Sequence, residues 1–576
     1  MLFLATFIVM NTVSLLKNWS ARVDYDVVVI GGEPEGVAAA VSAARNGLTV
    51  LLVDEYDEPG GRVVQAKIGD LKPDLGPGGV MLNQGIFQEL YQAIEGNNYS
   101  LTAFQNALEK MILEESNVER LTERYVVDAR VRRQRVVHIT LNDGQRIRAS
   151  RYIDATPGAN AASQAGAAFF QGEEEIHYPG PLPVSLIMEI GGLDWDLIFA
   201  AEELCPEGDL VAGVVLGNKE RLFSENMGSY QPLDPMIQVP GLKMVKQSNG
   251  TGLVEAMYIY KDAPWNSESR KEAWLRGERE AEFLIRYMRQ NLPGFEGAFL
   301  AVLAPQVKVL ETRHLKSLAR LNLDDILEHR DFWDKIALSS SPVYNRAVLS
   351  GEKGRILGNP VLYSVPFRCL VPVGLTNLLV VGPSAGYTFL AQGSAGRMPP
   401  GMNTAQAAGV AAAVSLESDV NFHRLSQDEE LIAALQERLI AQGVHLRSFN
   451  IPHALDGHAF YSAVRELRGW GLVHGGYEND YQLSAPVQIN EIHRLLQDVL
   501  ERCFQGRYHL SKFRDDHVQA TVDDLLHALE HISDVDPYDM NLDELMVRYN
   551  FYPGRPLSRG EVYAFLVDFS EILKEY

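Results

Sequence analysis

Cysteine is nearly absent. Three residues, Cys205, Cys369 and Cys503, are spread over 576 positions, too few and too far apart for a disulfide framework, a metal cluster or a CxxC redox pair. They read as small buried apolar side chains. Positive charge is also short, with 52 Lys and Arg against 75 Asp and Glu and a formal net charge of −23. A surface of that sign repels phosphate backbones, which argues against nucleic acid as a partner. Long apolar runs are missing apart from Met1–Leu16, which is too short and too interrupted for a comfortable membrane span. That segment reads as the core of a secretory signal, as an anchor, or as an extension ahead of a start at Met10. No basic residue precedes it, Trp19-Ser20-Ala21 is a poor cleavage site and no twin-arginine pair occurs. Exported, membrane-associated and cytoplasmic locations all stay open. HExxH and related metal motifs are missing, so no metal ligand is assigned, and there is no nucleophile elbow.

What is present is an ordinary globular composition, 46% hydrophobic and 22% charged, with one informative stretch. Tyr25-Asp26-Val27-Val28-Val29-Ile30 runs straight into Gly31-Gly32-Glu33-Pro34-Glu35-Gly36, and an Ala-rich segment follows to Ala44. Leu48–Val53 reads as a second buried strand ending at Asp54, 23 residues after Gly31. Strand, glycine turn, helix, strand and acid, with the acid roughly 20 residues on, are the layout of a dinucleotide-binding βαβ unit. The helix N-terminus there receives a pyrophosphate and the acid a ribose. Glu33 breaks the pattern, because GxGxxG would place its middle glycine at that position. A side chain there adds bulk and an acid adds like charge, unless it points away into solvent.

Further along, Glu58-Pro59-Gly60-Gly61-Arg62 forms a glycine-rich loop, and residues 80 to 115 read as helical. Tyr125 to Ile147 alternates as antiparallel strands, with Asn142-Asp143-Gly144 as a hairpin turn. Arg151–Ala155 is another strand, turning at Thr156-Pro157-Gly158. From about 172 to 300 an insertion carries strand-like runs such as Leu186–Ile190 and an amphipathic helix from Glu272 to Asn291, stopped by Pro293-Gly294. Its position suits a cap over the substrate cavity. Asn377–Gly386 is a buried strand running into a small-residue turn, and Gln406–Ala413 is a small-residue helix. His177, beside Tyr178-Pro179-Gly180, reads as a surface loop residue.

These segments together resemble the FAD-dependent oxidoreductases of the glutathione-reductase-like superfamily, in a bacterial branch that opens GGTPAG and closes NLLVAGR…QAAG. The likeness rests on 26–54, Gly60-Gly61, Asp154-Ala155-Thr156, the Ala304-Pro305-Gln306…Glu311-Thr312-Arg313 stretch, and 363–413, where Tyr363-Ser364-Val365-Pro366-Phe367-Arg368 matches a Tyr-x-Ile-Pro-Tyr-Arg element. It implies an α/β fold: a Rossmann-like FAD-binding domain in two parts, 24–171 and 301–418, with an inserted mixed α+β cap at 172–300. The chain is completed by the N-terminal segment 1–23 and a helical region 419–576. The resemblance assigns FAD to Gly31, Gly32, Glu33, Gly36, Asp54, Glu55, Gly61, Arg62, Ala155, Gly382 and Gln406. It offers Arg313, His314, Tyr363 and Arg368 as catalytic candidates, an arginine to anchor a substrate oxyanion and a histidine to move a proton. Equally, Glu311 forms a structural salt bridge with Arg313 or a neighbour, and Tyr363 and Arg368 tie two domains together.

The expected reaction is hydride transfer from a small-molecule substrate to FAD, with an unidentified electron acceptor. A second complete GxGxxG unit is missing, which argues against NAD(P)H as direct donor. Departures cluster at the cofactor motifs: Glu33, Pro157-Gly158-Ala159-Asn160 for Gly-Asp-Gly-Asp, Pro383 for an arginine, Gly396 (with Arg397 next to it) for another, and Ala405 for a glycine. The alternative is therefore a non-catalytic, flavin-free relative that acts as a binding or cell-surface module. In the C-terminal region, Pro486-Val487…Glu491 and Pro556-Leu557…Glu561 each open an apolar helix. This pattern resembles S-layer homology repeats and implies a cell-wall polymer or membrane surface as partner. Proline-capped helices with a first-turn acid have the same spacing.

Overall fold

The computed structural model describes residues 23–69, 71–96, 99–171, 174, 182–201, 222–260, 266–311, 313–345, 355–535 and 542–575. The apolar segment to Leu16, His177, Cys205 and Thr312 lie outside the described residues.

A five-stranded parallel sheet organises the cofactor-binding part. Its strands are β1 (Tyr25–Ile30), β2 (Val50–Val53), β3 (Val118–Leu121), β4 (Ala149–Asp154) and β5 (Leu378–Val380), in the order β5-β4-β1-β2-β3. Ile30 pairs with Val53 on one side and Asp154 on the other, so the strands end level and their C-terminal edges share one crevice. Because both faces of such a sheet are covered, its strands read as continuous apolar runs, as VVVI and VLLV do. The 223 residues between β4 and β5 return the chain to the edge beside β4, so a late strand completes an early sheet.

Helix α1 (Pro34–Arg45) leaves β1 through Gly31 and starts on Pro34, whose fixed φ suits a first helical position. Its small residues allow close approach to the long helix Met398–Glu417. A Cβ on Gly409 would lie 2.6 Å from Ser42, and the Ser42 hydroxyl donates to the Gln406 carbonyl at 2.7 Å. The Ala-rich composition of both helices is thus a packing requirement. The expected helix at 80–115 divides into Ile86–Ala93 and Leu101–Leu113, the second capped by Ser100, which accepts from Ala103 N–H. The antiparallel stretch is three-stranded, and its first turn is at Arg133-Gln134, both with positive φ.

The inserted part is a second, antiparallel sheet in which Gly252–Ile259 lies between Ile237–Gln238 and Val184–Gly191, and Phe299–Leu303 closes the edge. Helix α2 (Ser267–Asn291) covers one face. It begins five residues before the expected Glu272, because Asn266 accepts from Glu268 N–H at 2.8 Å and caps it.

The C-terminal region has its own apolar core. Three helices, Ile489–Phe504, Val522–Leu529 and Arg559–Glu575, each open on a reciprocal cap: Gln488 with Glu491, Thr521 with Asp524, Ser558 with Glu561. The short segments ahead of them bridge pairwise, Pro486 to Ser558, Gln488 to Gln519 and Thr521 to Pro556. The pattern seen twice in sequence is present three times in structure; the middle copy has Gln519 where the others have proline. Among the described residues no helix is long and apolar enough to cross a membrane.

Candidate active site

The C-terminal ends of β1, β2 and β4 open onto three adjoining chambers. An outer one of about 490 Å³ is lined by Gly31, Gly32, Asp54, Glu55, Thr156 and Arg270. A neck of about 60 Å³ lies between Tyr56, Arg62, Pro157 and Gln306. The inner one, about 210 Å³, is bounded by Glu35, Lys72, Lys308, Gln392 and Arg397. Glu33 borders all three.

The turn that shapes the outer chamber tolerates only glycine. Gly31 has φ +105°, and a Cβ on Gly36 would come 1.8 Å from the Gly31 carbonyl oxygen. Ala155 packs against the same turn, its Cβ 3.3 Å from that point. Asp54 is buried at the end of β2. Its Oδ2 accepts from Arg120 Nη2 at 2.9 Å, and its Oδ1 accepts from Tyr56 N–H at 3.1 Å. Burial pushes its pKa up against these partners. Glu55 faces both the outer chamber and the neck, and burial raises its pKa too.

Glu33 does not point into solvent. It is 5% exposed, and both carboxyl oxygens lie 3.0 Å from Arg62 N, whose N–H they accept. A Cβ on Gly61 would fall 2.3 Å from Glu33 Oε1, so Gly61 makes room for this carboxyl. Burial raises the Glu33 pKa to about 8, with Glu35 and Asp54 adding to the rise and Arg62 opposing it. Glu35 is buried between α1 and the Met398–Glu417 helix, close to Gly382 and Gly401, and its pKa is raised by burial as well.

FAD fits this arrangement. The N-terminus of α1 meets a crevice at the point where the strand order diverges, where open parallel sheets bind ligands. At the neck, Arg62 Nε is buried without a hydrogen-bond partner, 3.8 Å from Glu33, and offers a donor to a phosphate. Burial holds Glu33, the N-cap residue of α1, towards the neutral form, with its pKa raised to about 8, and so lessens the negative charge at the helix start. Gly382 lies at the end of β5, near Glu35. Gln406 lines no chamber: its Oε1 accepts from Ile86 N–H at 3.0 Å, which ties two helices together.

The four catalytic candidates are not brought together. Arg313 lines the outer chamber, with its guanidinium over Phe169 and Nη1 3.4 Å from the Gly158 carbonyl. His314 is fully buried, 3.6 Å from Glu311 and edge-on to Phe389, and borders no chamber. Glu311 Oε2 accepts from Leu182 N–H at 2.8 Å, and its Oε1 lies 3.6 Å from the neighbouring His314 Nε2. Tyr363 is fully buried, its hydroxyl 2.7 Å from Ser394 Oγ. Arg368 donates from Nε and Nη2 to buried Asp334 at 2.8 and 3.0 Å. The inner chamber is instead furnished by Lys72, Lys308, Gln392 and Arg397. Lys308 Nζ is 2.8 Å from Glu255, and both are buried. Their sequence signals were faint: Lys308 follows the Ala304-Pro305-Gln306 stretch by two residues, and Arg397 adjoins Gly396.

Cys369 is fully buried and Cys503 partly so; burial raises both thiol pKa values, so neither is an activated nucleophile. Among the described residues no His, Cys, Asp and Glu group could hold a metal ion.

Solved structures resemble the chain at a distance. A geranylgeranyl bacteriochlorophyll reductase-like protein from Thermoplasma acidophilum is 13% identical with a TM-score of 0.36, over 91% of this chain and 98% of that one. The myxobacterial chondrochloren halogenase, a variant FAD-dependent halogenase, is 13% identical with a TM-score of 0.36, over 72% and 79%. The p-nitrophenol 4-monooxygenase of Pseudomonas putida DLL-E4 is 13% identical with a TM-score of 0.32, over 73% and 83%. Likenesses this remote bear on neither substrate nor mechanism. A family match covers residues 26–439, from the first residues of β1 past the Met398–Glu417 helix, and therefore spans the sheet, the insertion and all three chambers. The chain belongs to the FAD dependent oxidoreductase family and is a flavoenzyme.

Proposed function

We propose that the protein is a dehydrogenase of a small organic substrate. FAD, when bound, would supply the two-electron acceptor for a hydride from the substrate carbon, with a separate electron acceptor to reoxidise it. The observation that carries the reading is the inner chamber, a pocket beside the N-terminus of the Met398–Glu417 helix with a buried Lys308–Glu255 pair in its wall. Gly31, Gly32, Gly36 and Arg62 would hold the diphosphate, and Asp54 and Glu55 flank the adenosine end. Lys308 Nζ takes the proton that leaves the substrate heteroatom as it hands one to Glu255, so the pair ends with one more proton and one more unit of positive charge. Lys308, Val309 and Leu310, in the segment that leaves the cap, line the chamber where this exchange would take place.

The test is the visible absorption spectrum of the purified protein, with and without added FAD, followed by anaerobic bleaching with candidate alcohols, amines and hydroxy acids. A flavin band that travels with the protein and bleaches with a substrate supports the reading. A protein that takes up no FAD, or a bound flavin that only NAD(P)H reduces, sinks it.

A second proposal concerns the C-terminal unit. We infer that it attaches to a cell-wall polymer, because its three cap-and-helix copies bridge one another around a closed triangle as a repeat module would. Co-sedimentation of the full chain with polymer-bearing but not polymer-stripped cell walls is the expected result; equal sedimentation with both would end the idea.

A further inference from the structure

Of the inner chamber's cations, Lys72 is exposed, whereas Arg397 is partly buried and held in place at one corner. Lys308 is closed off by Glu255 at 2.8 Å, and Arg62 lies beside Glu33. Arg397 is the N-cap residue of the Met398–Glu417 helix, in extended conformation, so its side chain departs before the first turn. Its Nη1 donates to Ser341 Oγ at 2.7 Å and lies 3.7 Å from Asp74 Oδ1. Among the described residues, Nε and Nη2 make no hydrogen bond, and the side chain is 35% exposed. Compare Arg368, whose Nε and Nη2 close on Asp334 at 2.8 and 3.0 Å. Arg397 is held by one corner, and the edge that binds carboxylates two-pronged is left open.

The hold on that corner is rigid. Asp74 is buried, and its two oxygens accept from Ser339 Oγ at 2.6 Å and from Ser341 Oγ. Ser394 Oγ donates to the Ser341 carbonyl at 2.5 Å and lies 2.7 Å from the Tyr363 hydroxyl. With its carboxylate engaged by two hydroxyls, Asp74 lies 3.7 Å from Arg397, farther than Glu255 from Lys308 at 2.8 Å, and fixes the guanidinium at that corner. Tyr363 belongs to the far end of this buried network.

We propose that Arg397 anchors the substrate through a carboxylate, so that the substrate is a small organic acid. This rests on the dehydrogenase reading above. The structure favours an acid over an amine because the open group in the chamber is a cation, while the facing carboxyls, Glu33 and Glu35, are held towards the neutral form by burial.

The test uses the purified full chain, its flavin content read by absorbance, titrated calorimetrically with acetate, 2-hydroxybutanoate and benzoate and with the matching amides. The acids are expected to bind and the amides to bind about 10- to 100-fold more weakly. Arg397→Gln should lose the same factor for acids, leaving amides and flavin content unchanged. Arg397→Lys keeps the charge but not the fork and should recover only part of the affinity; it also serves if the Gln variant melts early. Acids and amides binding alike, no acid binding at all, or full retention in both variants would overturn the assignment. A colourless protein that still selects acids through Arg397 would refute the dehydrogenase reading and leave the anchor standing.

Discussion

Glu33 permits a perturbation in which protonation and bulk are separated. Its burial raises the carboxyl pKa from 4.5 to about 8, with Glu35 and Asp54 reinforcing the rise and Arg62 opposing it. Between those two values the folded chain holds a proton that the unfolded chain has released. The stability this group contributes is therefore complete below about pH 4, is lost as pH rises to about 8, and changes little beyond, at about 1.4 kcal/mol per pH unit. From pH 6 to pH 8 the loss is on the order of 2–3 kcal/mol. Glu33→Gln keeps the shape and removes the titration. Its apparent unfolding midpoint relative to wild type should climb over that interval and level off above pH 8. The same charge acts on the cofactor. A unit negative charge roughly 5 Å from another, at an effective dielectric near 20, costs about 3 kcal/mol, or on the order of 100-fold in Kd. Wild-type apoprotein titrated with FAD at fixed ionic strength, followed by quenching of flavin fluorescence, should bind progressively more weakly from pH 7 to 9. Glu33→Gln should stay flat over the same range, and Glu33→Gly should be both flat and tighter. Parallel pH curves for wild type and Glu33→Gln, in stability and in binding alike, would refute the placement of a titrating carboxyl at the first turn of α1.

Three shorter expectations follow from individual contacts. Lys308→Met should keep bound flavin but lower kcat by about 100-fold or more, since it removes the proton carrier and leaves the cofactor walls intact; stopped-flow reduction measures it. Gly36→Ala sets a Cβ 1.8 Å from the Gly31 carbonyl oxygen, a backbone atom with nowhere to move, so flavin should be absent from the purified variant and its melting temperature lowered. Arg368→Ala strands the buried Asp334 carboxylate and should cost about 3–5 kcal/mol by denaturant titration, while KM and kcat of the folded fraction stay near wild type. A large kcat loss with unchanged stability would instead return Arg368 to the catalytic candidates.

The fold was largely legible because its signals are local or periodic. VVVI, VLLV and LLV are buried parallel strands and cannot easily be anything else once glycine turns and an Ala-rich helix separate them. Errors fell where a side-chain cap or a turn conformation decided the outcome. Asn266 starts a helix five residues early, and Arg133-Gln134 turn a hairpin without glycine. The third C-terminal copy escaped notice because proline marked the other two, whereas Thr521 and Asp524 make the same reciprocal cap without it.

The candidate site was less legible, for a reason visible in its geometry. Motifs report where the backbone must be tight, and those positions, Gly31, Gly36 and Gly61, do surround the chambers. Charged residues quoted within motifs are a different matter. Arg368 and Tyr363 sit in a recognisable element, yet that element is recognisable because it is buried, and its polar groups are satisfied internally by Asp334 and Ser394. The residues that face the inner chamber come from segments that fold together only at long range: Lys72 from a loop after Gly61, Lys308 from the segment leaving the cap, Arg397 from the cap of a late helix. No local pattern could join them. What a sequence can expose is the departure itself. Glu33 violates the glycine rule, and the structure accounts for it with Gly61, which makes room, and Arg62, whose backbone N–H receives the carboxyl. A residue that breaks a motif and is accommodated by two neighbours from another segment marks a site where charge, not shape, has been adjusted. That is why the pH dependence of cofactor binding, more than the spectrum alone, bears on how this family member differs.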